Sequence, residues 1–156
     1  GSEMCIETDD AYAITSPIVK PVMKLAEKLE IPVYIRTADS QFCYPEEVIS
    51  VAYNNPQVTI ITKHTTTGIK LATNPSLKDR LQNVIFETHP LVGRHKGVDR
   101  FLKNLPTIID SKRVVFTTET PFGYPELELK TIELTAPDIK VKREIMNENI
   151  KRILKI

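Results

Sequence analysis

Apolar and β-branched residues gather in short runs at Ile31–Ile35, Val58–Thr62, Asn83–Glu87 and Arg113–Thr118, with a further run at Met4–Glu7. Each has the length of a buried strand. Between the runs, apolar positions recur at helical spacing. Pro17 to Leu29 carries Ile18, Val22, Leu25, Ala26 and Leu29 in this way, with Ser16 placed to cap and Pro17 in the first turn. Pro45–Tyr53, Pro75–Leu81, a segment near Arg94–Leu105, Pro125–Leu134 and Lys142–Leu154 complete the predicted helices. Pro45, Pro75 and Pro125 each stand where a helix can begin, so the prolines punctuate units instead of breaking them. Strand alternating with helix predicts parallel strands joined by right-handed crossovers, an α/β fold of four to five β-α units. No linker or repeat interrupts the pattern, and residues 1–156 are expected to form a single α/β domain. A complete (β/α)8 barrel takes about 250 residues, so length by itself favours an open sheet.

Composition narrows the partners more than it names them. With 41% hydrophobic and 26% charged residues, the chain can bury a core and is not a disordered tail. Lys and Arg number 21 against 20 Asp and Glu, with no long basic run, which gives no electrostatic reason to expect nucleic acid or an anionic membrane. No apolar run reaches the roughly 18 residues of a membrane span, and no signal peptide is visible. Cys5 and Cys43 lack C-x-x-C spacing and a neighbouring base, which argues against zinc-finger and thiol chemistry and fits a reducing, cytoplasmic setting. Gly1-Ser2 reads as an expression remnant, leaving open whether the natural sequence begins near Met4 or further upstream.

The chemistry-bearing residues fall at the ends of the predicted strands. The run RVVFTTETPFG, Arg113 to Gly123, delivers the carboxylate of Glu119 just before a loop. That is where α/β enzymes place metal ligands and general bases, although such an acid also serves as a plain cap for the next helix. His64 leads into Thr65-Thr66-Thr67-Gly68, either a metal ligand with an anion-holding loop or a polar strand end followed by a turn. His89 and His95, with Arg94 and Lys96, form a cationic patch able to receive a carboxylate, or else a solvated loop. Glu7, Asp9 and Asp10 cluster after the first run.

Read in order, IPVYIRT (Ile31–Thr37), TIITKHTTTG (Thr59–Gly68), NVIFETH (Asn83–His89), RVVFTTETPFG and the closing NENIKRILKI (Asn147–Ile156) resemble the second half of the metal-dependent amidohydrolase superfamily, in its branch of small hydrolases and decarboxylases. The resemblance runs from about Ile31 to Ile156. It implies the C-terminal half of a (β/α)8 TIM barrel, with a divalent metal such as zinc. His64 stands where the family has a metal-binding His, and Glu119 stands at its metal-binding or general-base Asp. Arg36 falls where the family has another metal-binding His, yet a guanidinium stays charged and cannot ligate a cation. The family's first H-x-H motif has no counterpart here, so the metal site is incomplete in this chain.

Two functions from different classes follow. One is a metal-dependent hydrolase or decarboxylase acting on a small carboxylate or amide, with His64 and Glu119 at the metal and Glu119 as base. The other is a non-catalytic half-barrel scaffold that uses Arg36, His89 and His95 to hold a small anionic ligand. In either case a half-barrel exposes strand edges and apolar surface, so self-association as a dimer, or pairing with a missing N-terminal half, is expected.

Overall fold

A computed structural model describes residues 4–6, 12–37, 44–63, 66–88, 108–118, 120–121 and 123–156. The predicted helix near Arg94–Leu105 lies outside them, as do the acidic cluster Glu7, Asp9 and Asp10, and Cys43. Among the described residues are five strands: β1 (Met4–Ile6), β2 (Val33–Ile35), β3 (Ile60–Lys63), β4 (Val84–Glu87) and β5 (Val114–Val115). They lie in one sheet in the order β1-β2-β3-β4-β5. Pairing is parallel, with Val33 opposite both Met4 and Ile60, and Phe86 opposite Val114. Strand order decides between the two α/β architectures, against the open sheet that length by itself favoured. Right-handed crossovers that always step the same way cover the same face of the sheet, which is barrel winding, whereas an open doubly wound sheet reverses its order at a switch point.

The helices are α1 (Val19–Leu29), α2 (Pro45–Asn54), α3 (Thr66–Ala72), α4 (Pro125–Thr135), α5 (Ile139–Arg143) and α6 (Asn149–Leu154), with a π-helical segment, Glu144–Glu148, between the last two. Helix α2 follows the sequence reading closely, because Pro45 needs no N–H partner and the Glu47 carboxylate accepts the Tyr44 N–H at 3.3 Å. Three readings need correction. Ser16 offers α1 no side-chain cap; its carbonyl accepts from Val19 in a preceding turn, and the helix starts later. The segment 75–81 is a succession of turns in which the Asn74 side chain accepts from Ser76 N–H, and the helix of that unit lies earlier, at α3. The terminal helical stretch begins before Lys142, because Asp138 accepts the Val141 N–H at 2.8 Å and fixes the start.

The chain divides into two compact units, Gly1–Ile85 and Phe86–Ile156. In the first, Val33, Ile35 and Ile60 of the sheet and Met23 and Ala26 of α1 are all but sealed from solvent. In the second, Phe86, Val114, Ile132 and Ile145 play that part. Each such large side chain contributes about 1.5–3 kcal/mol on burial.

Polar groups in both cores are wired to the backbone. Asn83, at the start of β4, donates from Nδ2 to the carbonyls of Ala52, Asn55 and Val58 at 2.9–3.1 Å, tying the end of α2 to the turn that feeds β3. Asn149 does the same in the second unit, donating to Ser111 and Val114 at 2.8 Å. The π segment is spanned by Arg143 and Glu148, whose side chains meet at 2.6 Å across an i,i+5 spacing that suits the wider turn. Arg113 is buried beside the start of β5, where desolvation lowers its pKa to about 10 against the raising effect of Asp110, so it stays cationic at neutral pH. No helix of the described residues is long and apolar enough to cross a membrane.

Candidate functional site at the strand ends

In the first unit, β2 ends at Ile35 and hands the chain to Arg36 and Thr37. The carbonyl of Ile35 accepts the Thr62 hydroxyl at 2.9 Å, so the ends of β2 and β3 are locked together by a buried side chain of β3. Arg36 is half-buried and held in an interaction of its own. Thr37 is 4% exposed, and its hydroxyl has no hydrogen-bond partner among the described residues. Lys63 closes β3, half-buried and likewise engaged.

In the second unit, β4 ends on Glu87, which is 3% exposed, and continues into fully buried Thr88. Thr88 N–H donates to the Val115 carbonyl at 3.0 Å, and its hydroxyl accepts the Thr117 N–H at 3.2 Å. That side-chain contact stands where another ladder bond would continue β5. The predicted strand Arg113–Thr118 is accordingly shortened to Val114–Val115. Beyond it the Thr118 and Thr120 hydroxyls meet at 2.9 Å, and the Thr120–Pro121 peptide is cis. The Thr117 hydroxyl is buried without a partner among the described residues.

Of the residues singled out from sequence, Arg36 is placed where it was expected, immediately after β2. His64, His89, His95 and Glu119 lie outside the described residues. Glu87 went unremarked in the sequence reading, although its signal was the one that drew attention to Glu119: an apolar run, VIF, that ends on a carboxylate. A buried acid at a strand end is a stronger candidate than an exposed one, because burial obliges it to be paired or hydrogen-bonded, and Glu87 is engaged in such an interaction. The described strand ends thus present a cation and a buried hydroxyl in the first unit, and separately a buried acid and hydroxyls in the second. Among the described residues no three His, Cys, Asp or Glu side chains converge, and Arg36 offers donors only.

No protein-family model matches the sequence, and no curated protein matches it. Solved structures do resemble it. A TIM-barrel protein from Bordetella bronchiseptica aligns with 99% of the chain at a TM-score of 0.74 and 15% identity, over 57% of its own length. A 5-carboxyvanillate decarboxylase from Sphingomonas paucimobilis aligns with 99% at 0.72 and 15% identity, over 58% of its length. A Staphylococcus aureus protein provisionally assigned to the amidohydrolases aligns with 99% at 0.57 and 13% identity, over 64% of its length. The likeness is one of fold. Decarboxylases and an amidohydrolase-type protein are the neighbours that the strand-end resemblance leads one to expect, and the β-α units of this chain are laid out as in their barrels. The chain spans 57–64% of the length of these three structures. Some of the neighbouring decarboxylases were crystallised with manganese.

Proposed function

We propose that this chain forms part of a metal-dependent decarboxylase or hydrolase of the amidohydrolase kind, and that Arg36 receives the carboxylate of a small substrate. The observation that carries the reading is the position of Arg36, directly after β2, where the family resemblance expects a metal-binding histidine. A guanidinium there turns a metal-ligand position into an anion-binding one. Its five N–H donors suffice to keep a protein partner and hold a ligand carboxylate together. The neighbours named for dihydroxybenzoate and carboxyvanillate decarboxylation act on aromatic acids, which makes a small aromatic carboxylate the first ligand to try.

The resemblance leaves His64 and Glu119 as metal ligands, with Glu119 as base. These are fewer than the three protein ligands usual at a catalytic zinc centre, so metal-dependent turnover draws on ligands from outside this chain. The same position of Arg36 favours a second reading, a non-catalytic scaffold that binds a small anion. His89 and His95 add positive charge to either reading.

Calorimetric titration with 2,6-dihydroxybenzoate, with and without manganese, tests both. In the proposed reading Arg36→Ala weakens carboxylate binding about tenfold or more, and carbon dioxide release depends on added metal once the missing ligands are supplied. Binding without release under any metal leaves the scaffold, and binding untouched by Arg36→Ala removes Arg36 from the site.

A further inference from the structure

The register of β2 and β3 sets two cations side by side. Tyr34 lies opposite Ile61 and Ile35 opposite Thr62. The Thr62 hydroxyl bonds the Ile35 carbonyl at 2.9 Å, so the two strands are still held together where β2 ends. The next residue along each strand is Arg36 on one and Lys63 on the other. Opposed positions of neighbouring strands share a face, with backbones about 4.8 Å apart. Alternation puts Arg36 and Lys63 on the face away from Val33 and Ile35, which are sealed from solvent, and on the same face as Tyr34. Burial follows that division, since Tyr34, Arg36 and Lys63 are each half-buried. Two residues back on this face stand Tyr34 and Ile61, a ring and an aliphatic side chain. All four residues belong to the first unit.

The pair is a cost to the fold. Like charges on opposed positions of adjacent strands destabilise a sheet, and partial burial sharpens the repulsion because solvent screens it less. Both side chains are engaged within the protein. Their capacity extends further, for a guanidinium carries five N–H donors and an ammonium three. The cost is borne at the C-terminal ends of the strands, where β-α units carry their chemistry.

We propose that Lys63 is a second anion-binding residue beside Arg36, and that the ligand is a small dianion, a ring acid with two carboxylates in meta relation. The proposal rests on the reading of Arg36 as the receiver of a carboxylate and adds the residue that selects for a second negative charge. Meta carboxylates on a six-membered ring are set apart by roughly the spacing of neighbouring strands, ~4.8 Å, so each can face one cation. Tyr34 and Ile61 offer the ring an apolar floor. The two cations divide the work. A guanidinium presents a planar fork that orients one carboxylate, whereas an ammonium is a point charge that accepts many directions of approach. A carboxamide in place of the second carboxylate keeps its shape and loses its charge, which makes 3-carbamoylbenzoate the matched control for isophthalate.

Calorimetric titration of the full chain with each of these two acids, in chelator so that no metal contributes, reads the second charge alone. Isophthalate is expected to bind about tenfold more tightly than the carboxamide, and the advantage to shrink as salt is raised. Lys63→Met removes the advantage and leaves carboxamide binding unchanged, while Lys63→Arg retains it. Arg36→Ala weakens both acids. Unchanged far-UV circular dichroism identifies each variant as folded, and the wild-type comparison stands without any variant. Equal affinity of the wild-type chain for the two acids overturns the proposal; the reading of Arg36 survives that result if Arg36→Ala still weakens both. A preference for isophthalate that persists in Lys63→Met also overturns it, because the second charge then meets another group. Binding indifferent to Arg36→Ala, or no binding of either acid, removes both readings together.

Discussion

The starts and the ends of the strands treat their polar groups differently. At the starts, Asn83 and Asn149 sink their amides among backbone carbonyls, three for Asn83 and two for Asn149, and each amide fastens segments that are remote in sequence. At the ends, Thr37 and Thr117 bury hydroxyls that have no partner among the described residues. The fastening is not perfect, since Asn83 Oδ1 is also without a partner among the described residues, but its donors are fully engaged. A buried donor that meets an acceptor adds a modest net stabilisation, while a buried polar atom left alone costs about 1–3 kcal/mol. The strand starts are fastened by side-chain amides, whereas the strand ends, although Thr62 and Thr88 are bonded there, also bury the Thr37 and Thr117 hydroxyls without a partner among the described residues. That division is the one expected of β-α units whose chemistry belongs to the C-terminal ends of the strands.

The largest effect should come from reversing the polarity of a fastener. Asn83→Asp would set a carboxylate against three carbonyl oxygens and is expected to cost about 3–5 kcal/mol, read as a fall in the urea midpoint. A midpoint near that of wild type would show that the strand starts are no better tied than the ends. Asn149→Ala should follow at about 2–3 kcal/mol, since it leaves the Val114 and Ser111 carbonyls without their donor. It should also speed amide exchange at Phe116, whose bond to Ile145 sits beside that contact.

The smallest effects belong to the other side of the comparison. Thr37→Val and Thr117→Val are expected to change stability by less than about 1 kcal/mol, or to raise it, because each removes a hydroxyl that has no partner among the described residues. If either substitution instead leaves stability alone and weakens binding of the aromatic carboxylate, the hydroxyl belongs to the ligand site. A loss of stability as large as that of Asn149→Ala would mean that the hydroxyl is a structural fastener after all.

Much of the architecture was legible because it is local. Pro45 marks the start of α2, and Pro125 marks that of α4. The β-branched runs give the strands, and their order points to the barrel fold that the solved neighbours share. What proved harder depends on remote partners. The stretch Arg113–Thr118 has the composition of a six-residue strand, yet the Thr88 hydroxyl takes the Thr117 N–H that would have continued its pairing with β4. In α1 the apolar positions Ile18, Val22, Leu25, Ala26 and Leu29 share helical spacing, yet of these only Ala26 is buried, alongside Val19 and Met23, while Ile18, Leu25 and Leu29 stay exposed.

Residue type and spacing by themselves determined that this is a chain of parallel β-α units, that a cation rather than a ligand follows β2, and that a carboxylate ends β4. They also determined its near-neutral charge and the lack of a membrane-length apolar run. Tertiary structure decided which stripe of α1 is buried, how far β5 extends, that Glu87 is withdrawn from solvent, and that the strands follow one another without reversal. The reason is physical. Propensity and capping act within a turn or two of chain, whereas burial and strand pairing depend on which distant surface arrives to take up an apolar side chain or an unpaired N–H.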